Sequence, residues 1–269
     1  MAESADIILF PDYQKLREEV DKLRIEISML VLEKDELEYS ECRNIEMEYM
    51  LTFGSLEYQV YEARCEALRL KRKIDIIQAR LNRQEEIGIR QIEETLDREF
   101  ADYQKKLDEQ IGKMNSAIKR SRLRALAETE SKELKGLYRR IVKRLHPDLN
   151  PDITEAEIRL FDNAVAAFKD GDLQTLRIIE SMIGGADLPD SQQDSVSVLR
   201  EEKDRLIGII SYLKSRIAEI KADYPYTLRE YLTDDEKGGA YRKELEDSLR
   251  EYGELKAVYT EKIEEMMRR

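Results

Sequence analysis

Turn-forming residues are scarce in this chain. Eleven glycines and five prolines among 269 residues are about half the usual share of these two types, and tryptophan is absent. Charged residues, in contrast, make up 39% of the chain, where about 25% is normal. So few turns exclude a β-sandwich, a barrel or an α/β enzyme with many loops. We therefore expect an all-α fold, made of elongated helical hairpins with narrow apolar seams.

Residues that bind metals or carry redox chemistry are also scarce. Two cysteines, Cys42 and Cys65, are too few for a disulfide framework or for a cysteine-rich zinc or iron–sulfur site. The single histidine, His146, excludes a site built on a histidine pair and leaves a Ser-His-Asp hydrolase without other support. We predict that the protein is not an enzyme and holds no metal and no cofactor. A hairpin turn near Phe53-Gly54 would bring the two cysteines level, but packed helices are too far apart to favour a disulfide there.

Long apolar runs and a positive net charge are missing as well. The longest apolar runs, Ile7–Phe10 and Met29–Leu32, fall far short of the ~20 residues that span a bilayer. The acidic start Met1–Asp6 lacks the basic residues of a signal peptide, so we expect a cytoplasmic protein that is not bound to a membrane. A net charge of −12 argues against chain-wide contact with nucleic acid.

Seven-residue repeats dominate the N-terminal segment and predict coiled-coil seams. A second seam runs from Leu56 to Leu81, and a third helix carries apolar residues from Leu96 to Ile118. With a turn at Phe53-Gly54-Ser55, residues 11 to about 122 are expected to form an antiparallel coiled-coil hairpin with a further helix. The apolar residues of the first seam are Leu16, Val20, Leu23, Ile27, Leu30 and Leu37.

The C-terminal segment repeats this pattern. Leu199, Leu206, Leu213 and Ile220 are seven residues apart, and Tyr224-Pro225 ends their helix. A second helix is expected after Gly238-Gly239, with Thr233 and Glu236 as its capping box. We therefore predict another helical hairpin over residues 186–269, joined to the rest by a Gly184–Ser191 linker.

Between these two segments lies a basic helix. Leu134, Leu137, Ile141 and Leu145 mark its apolar face, with Tyr138 at the edge of that face. The stretch from Lys132 to Asp148 holds six basic and two acidic residues, a net charge of +4 in an acidic chain. Five of the basic residues have no acidic partner at helical spacing. The basic residues are Lys132, Lys135, Arg139, Arg140, Lys143 and Arg144.

An acidic helix follows after a short loop. Pro147 ends the basic helix, and Thr154 with Glu157 forms a capping box for the next one. That helix places Ile158, Phe161, Val165 and Phe168 on one face and ends at Gly171, after which Asp172 caps a short last helix. We expect the two helices to pack antiparallel and to project the loop His146-Pro147-Asp148.

The stretch from Leu134 to Pro151 resembles helix II and the His-Pro-Asp loop of a J domain, the module of the DnaJ family of co-chaperones. The segment Phe161–Phe168 is similar to that family's helix III. The resemblance covers about 50 of the 269 residues. It does not extend to the family's helix I, whose packing surface would come from Leu123 and Leu126 or from the end of the preceding long helix, and Leu149 stands where a basic residue is common. A Gly/Phe-rich segment and a cysteine zinc module are absent.

The resemblance implies a partner and a set of contact residues. The basic helix would dock on the acidic ATPase domain of a DnaK-type heat-shock chaperone, and Asp148 would reach the place where the partner's two domains meet. The effect would be faster ATP hydrolysis and client trapping. The implied partner-binding residues are Lys135, Tyr138, Arg139, Arg140, Lys143, Arg144, His146, Pro147, Asp148 and Asn150.

We therefore predict three domains: an N-terminal coiled-coil segment (1–125), a J-domain-like module (126–185) and a C-terminal helical hairpin (186–269). The flanking helices would bind a client or scaffold, or form a homo-oligomer. The alternative is a coiled-coil scaffold protein whose J-like module activates no ATPase.

Overall fold

The computed structural model describes residues 11–122, 126–183 and 196–268. All regular elements in these ranges are helical, which confirms the all-α prediction. The predicted linker Gly184–Ser191, the apolar run Ile7–Phe10 and Leu123 lie outside the described residues.

The α-helices of the described ranges follow one another along the chain. They are α1 (Pro11–Glu36), α2 (Cys42–Tyr49), α3 (Ser55–Asn82), α4 (Ile89–Glu99), α5 (Ala101–Ser121), α6 (Glu128–Leu145), α7 (Glu155–Asp170), α8 (Leu173–Ile183), α9 (Val196–Ala222), α10 (Arg229–Thr233) and α11 (Asp235–Arg268).

The predicted turn at Phe53-Gly54-Ser55 is wrong. The chain stays helical from Pro11 to Asn82, because π-helical turns at Leu37–Glu41 and Met50–Gly54 join α1, α2 and α3. Gly54 lies within this helical stretch, where an added Cβ atom would stand 3.2 Å from Sδ of Met50.

Because the chain stays helical at Phe53-Gly54, no hairpin turn there brings Cys42 and Cys65 level with each other. Cys42 and Cys65 are free and buried, and burial raises the pKa of each thiol.

The chain forms two compact units, and each takes residues from both halves of the sequence. The first unit holds residues 11–43, 126–183 and 196–226, and the second holds 44–122 and 227–268. This division replaces the three successive domains 1–125, 126–185 and 186–269. Because α9 packs on α1 and α11 packs on α3, the predicted C-terminal hairpin does not form. The capping-box prediction at Thr233 is also wrong, since the Asp234 carboxylate accepts the amides of Glu236 and Lys237.

In the first unit, α1 and α9 run parallel. Three ion pairs step along both helices in the same direction: Glu19 with Lys203, Glu26 with Lys214 and Glu33 with Lys221, at 2.7–2.8 Å. The seam residues of both helices, among them Ile27 and Leu206, belong to one buried cluster. The heptad pattern of α1 is therefore satisfied within the chain, by a parallel helix instead of the expected antiparallel one.

The second unit pairs α3 with α11, again in parallel. Tyr49 and Tyr241 both donate to the Glu57 carboxylate, at 2.6 and 2.7 Å, and Ile77 lies in a buried cluster with Met266 further along. The expected third helix is broken at Phe100 into α4 and α5, which return along α3.

Candidate functional site

The α6–α7 pair forms as the sequence predicts. The apolar face of α6 is buried, and Tyr138 stacks on Phe168 with ring centres 4.2 Å apart. At the other end of the pair, His146 meets Phe161 edge-to-face at 5.2 Å. Because residue numbers rise on α6 while they fall on α7, the two helices are antiparallel and the loop joins their adjacent ends.

The caps of the loop and of α7 follow the predicted local rules. The Glu157 amide donates to Oγ1 of Thr154 at 3.3 Å, and the Thr154 amide donates to the Glu157 carboxylate at 2.9 Å. Gly171 ends α7 in the left-handed conformation, with φ of 72°. The Asp172 carboxylate accepts the Thr175 amide at 3.0 Å and caps α8. These caps fix where α7 begins and ends and where α8 begins.

The loop is braced by its own hydrogen bonds. The amides of Leu149 and Asn150 both donate to the His146 carbonyl at 3.0 Å. The Asn150 side-chain amide donates to the carbonyls of Lys143 and His146 at 3.3 Å. Leu149 is buried in the core of the unit. Asn150, a predicted partner-binding residue, therefore has its amide occupied within the loop.

His146 points inward from the tip. Its Nδ1 accepts the Asp148 amide at 3.1 Å, which assigns the ring proton of the neutral imidazole to Nε2. Only 16% of the side chain is exposed, so the His146 ring lies beneath the loop and supports its main chain. Burial lowers the pKa of His146, an effect opposed by the charges of Asp148 and Asp35 and reinforced by Lys34.

A pH prediction follows from this environment. The unfolded chain binds the imidazole proton more readily than the folded chain, since His146 has its pKa lowered by burial. Its contribution to the free energy of unfolding is then complete above a pH of about 6.5 and is lost as the pH falls through the folded-state pKa. NMR titration of the chain's one imidazole should give a pKa below that of a histidine peptide, and a value at or above the peptide's would contradict the structure. His146→Gln should remove this part of the pH dependence of unfolding.

Asp148 presents its carboxylate to solvent while its main chain is held. The side chain is 53% exposed, and Pro147 beside it is exposed as well. The Asp148 amide donates to His146, and its carbonyl accepts a hydrogen bond from the Arg205 guanidinium of α9 at 2.8 Å. The tip therefore offers a fixed, accessible carboxylate.

The basic face of α6 divides into paired and unpaired charges. Lys135 forms an ion pair with Glu36 of α1, and Arg140 forms one with Glu180 of α8. Arg139 and Lys143 are exposed and form no ion pair with the described residues. The half-buried Arg144 lies near the loop end of the helix.

These pairs revise the expected charge pattern. Glu133, an acidic residue inside the basic stretch, is bound by Arg177 of α8 through two 2.8 Å hydrogen bonds. The basic residues left exposed without an ion-pair partner among the described residues are Arg139 and Lys143, both towards the tip. The predicted surface is smaller than the sequence suggests.

Tyr138 does not lie on the exposed basic face of α6. Its side chain is fully buried, at 0% exposure, and its hydroxyl donates to the Asp35 carboxylate at 2.6 Å. Burial and the neighbouring Asp35 both raise the pKa of Tyr138, so the phenol stays protonated. The placement of Tyr138 among the partner-binding residues is therefore wrong, and the residue instead links α6 to the end of α1.

The apolar face of α6 packs against helices from other parts of the chain, whereas Leu123, one of the two residues expected to supply that surface, lies outside the described residues. Val20, Ile27 and Val31 of α1 lie in the same buried cluster as the apolar face of α6, together with the seam of α9. Leu126 is itself exposed and lies near Gly171. The module is thus completed by distant parts of the chain.

Sequence reasoning missed Arg205 and Asp35, the two residues that join the tip and α6 to these helices. The sequence does, however, contain a signal for the pairing of α1 with α9. Glutamates seven apart on α1 and lysines seven apart at Lys214 and Lys221 are the flanking charges of a matched helix pair. Taken together, those charges indicate that α1 pairs with α9.

Comparisons with protein families, curated proteins and solved structures find no match to this chain. The resemblance to a J domain therefore rests on the sequence motifs alone. Over the described ranges, no group of three or more metal-ligating side chains is brought together. No helix within those ranges is long and apolar enough to cross a bilayer.

Proposed function

We propose that this protein is a cytoplasmic J-domain co-chaperone. Its α6–α7 module binds the ATPase domain of a DnaK-type heat-shock chaperone and stimulates ATP hydrolysis, and its other helices direct that chaperone to a client or scaffold. The observation that carries the proposal is the tip: an exposed Asp148 carboxylate over an inward His146, at the junction of two antiparallel helices.

The exposed charges support the same partner. Arg139 and Lys143 lie on α6 towards the loop. Such a patch attracts an acidic surface, and charge complementarity of this kind mainly speeds encounter and fixes orientation. The contact is expected to be weak and to weaken further with salt, since exposed charges are screened over ~8–10 Å at 0.1–0.15 M.

The proposed role is thermodynamic and needs no catalytic group on this chain. The module shifts its partner towards the hydrolysis-competent arrangement only if it binds that arrangement more tightly than the other. A fixed tip suits this task, because a preorganised Asp148 loses little conformational freedom on binding. The ATPase site and its nucleotide belong to the partner.

The outer faces of the paired helices are the proposed client-binding surface. The seams of α1 and α9 close on each other within the chain, which leaves apolar side chains such as Met29 and Tyr212 exposed on their other sides. We propose that a client or scaffold binds there.

Reversing one charge on α6 tests the proposed docking face. Arg139→Glu should lower stimulation of single-turnover ATP hydrolysis by a DnaK-type chaperone roughly fivefold to tenfold at low salt, because it places a negative charge against an acidic partner. The difference from the native chain should shrink at high salt, where the charges are screened.

The matched control is Arg159→Glu, which makes the same change of net charge on α7, where Arg159 pairs with Glu155. It should stimulate nearly as well as the native chain. Equal losses in the two variants would contradict a specific α6 face. If the native chain gives no stimulation, the co-chaperone proposal fails and the helical scaffold alternative takes its place.

A further inference from the structure

Arg205 of α9 connects the tip to both paired helices. Its guanidinium donates to the Asp148 carbonyl at 2.8 Å and makes two bonds, of 2.7 and 2.9 Å, to the Glu202 carboxylate. Glu202 also accepts from Arg24 of α1 at 3.2 Å. A continuous polar chain therefore runs from α1 through α9 to the loop.

This chain is held in its charged form. The Glu202 side chain is only 18% exposed, and its hydrogen bonds to Arg205 and Arg24 lower its pKa against the opposing effect of burial. Glu202 in turn raises the pKa of Arg205. An ionised, hydrogen-bonded Glu202 restrains the guanidinium that reaches the loop.

The contact fixes the tip without covering it. Arg205 uses the main-chain carbonyl of Asp148 and leaves the carboxylate and Pro147 exposed. The neighbouring lysine of α9, Lys203, points to Glu19 of α1 and takes no part. Because the Asp148 carboxylate and Pro147 stay exposed, α9 does not block the tip.

We propose that Arg205 is a positioning residue for the His-Pro-Asp tip, so that α9 is a working part of the J-like module. Its role in stimulation rests on the proposed function. The effect of Arg205 on the loop does not rest on the proposed function, because Arg205 would order the main chain of residues 146–150 whether or not a partner is bound.

Hydrogen exchange of the full-length chain tests the loop directly. Arg205→Met should speed exchange of the Asp148, Leu149 and Asn150 amides roughly threefold to tenfold, the loss expected for one hydrogen bond from a partly exposed charged donor. Arg205→Lys keeps the charge and a hydrogen-bond donor group, and should restore part of the protection. Lys203→Met removes an α1–α9 ion pair on the same helix and should leave these amides unchanged.

Stimulation of a DnaK-type chaperone by the same variants separates positioning from docking. Arg205→Met should lower the maximal stimulation severalfold and leave the half-saturating concentration little changed, because the exposed face of α6 is intact. Unchanged exchange, equal effects of Arg205→Met and Lys203→Met, or increased stimulation after Arg205→Met would each overturn the proposal. If the native chain does not stimulate at all, the proposed function fails, and the exchange result still decides the role of Arg205 in the loop.

Discussion

Asp148→Asn is expected to reduce stimulation of a DnaK-type chaperone to near its basal rate of ATP hydrolysis. The substitution removes the exposed negative charge and keeps the shape of the side chain. Both hydrogen bonds that hold this residue, to His146 and from Arg205, use its main chain and survive the change. The free energy of unfolding should therefore change by no more than about 0.5 kcal/mol.

Asp170→Asn is the matched control, because Asp170 is an exposed carboxylate at the end of α7 that lies away from the tip. It makes the same change of charge and should stimulate like the native chain. Single-turnover hydrolysis at saturating co-chaperone concentration measures both variants. Full stimulation by Asp148→Asn would show that the tip carboxylate has no part in the mechanism.

Leu206→Ala is expected to lower the free energy of unfolding by about 3–4 kcal/mol. Leu206 has no exposed surface and lies in the buried cluster that joins α1, α6 and α9. Truncation removes apolar contacts and leaves a cavity among side chains held by three helices, which limits collapse of the site. Urea denaturation followed by far-UV circular dichroism measures the loss.

The next residue provides the control. Ile207 is 43% exposed, so Ile207→Ala removes a similar apolar volume from the outer side of the same helix. Its effect should stay below about 1 kcal/mol. Similar losses from the two substitutions would contradict the assignment of the α9 seam. Leu206→Ala should also reduce stimulation of the chaperone under conditions in which the variant is still folded. Arg205, which contacts the loop, is the residue next to Leu206 on α9, so a loosened α9 holds the loop less firmly.

The parts of the module that could be predicted from the sequence are those set by local rules. The capping box of Thr154 and Glu157, the left-handed Gly171 and the Asp172 cap all occur as expected. Each depends on residues a few positions apart, and their side chains satisfy backbone groups that any helix end leaves open. The antiparallel α6–α7 pair follows from these caps and the two apolar faces.

Partner choice among the long helices could not be predicted in the same way. Glycine at position 54 is typical of a turn, yet Gly54 lies inside a helical stretch, where an added Cβ would stand 3.2 Å from Sδ of Met50. Gly238, expected just before a helix, lies within α11, where an added Cβ would stand 2.5 Å from the Tyr231 carbonyl. In both places the chain is helical, although a glycine there favours a turn or a helix boundary.

Tyr138 shows the same limit within the candidate site. Its position at the edge of the α6 apolar face gave no indication of Asp35, which lies 103 residues earlier and accepts its hydroxyl. A side chain at the edge of an isolated amphipathic helix becomes core once another helix packs there.

The pairing of α1 with α9 has a consequence for synthesis. Glu19 and Lys203 are separated by 184 residues, and translation at ~5–20 residues per second takes roughly 10–40 s to cover that distance. The apolar stripe of α1 has no native surface to pack against until α6 has been made, and the side of α1 that contacts α9 stays uncovered throughout this interval. The nascent chain is then most prone to aggregate, and its first unit can close only after α9 has left the ribosome.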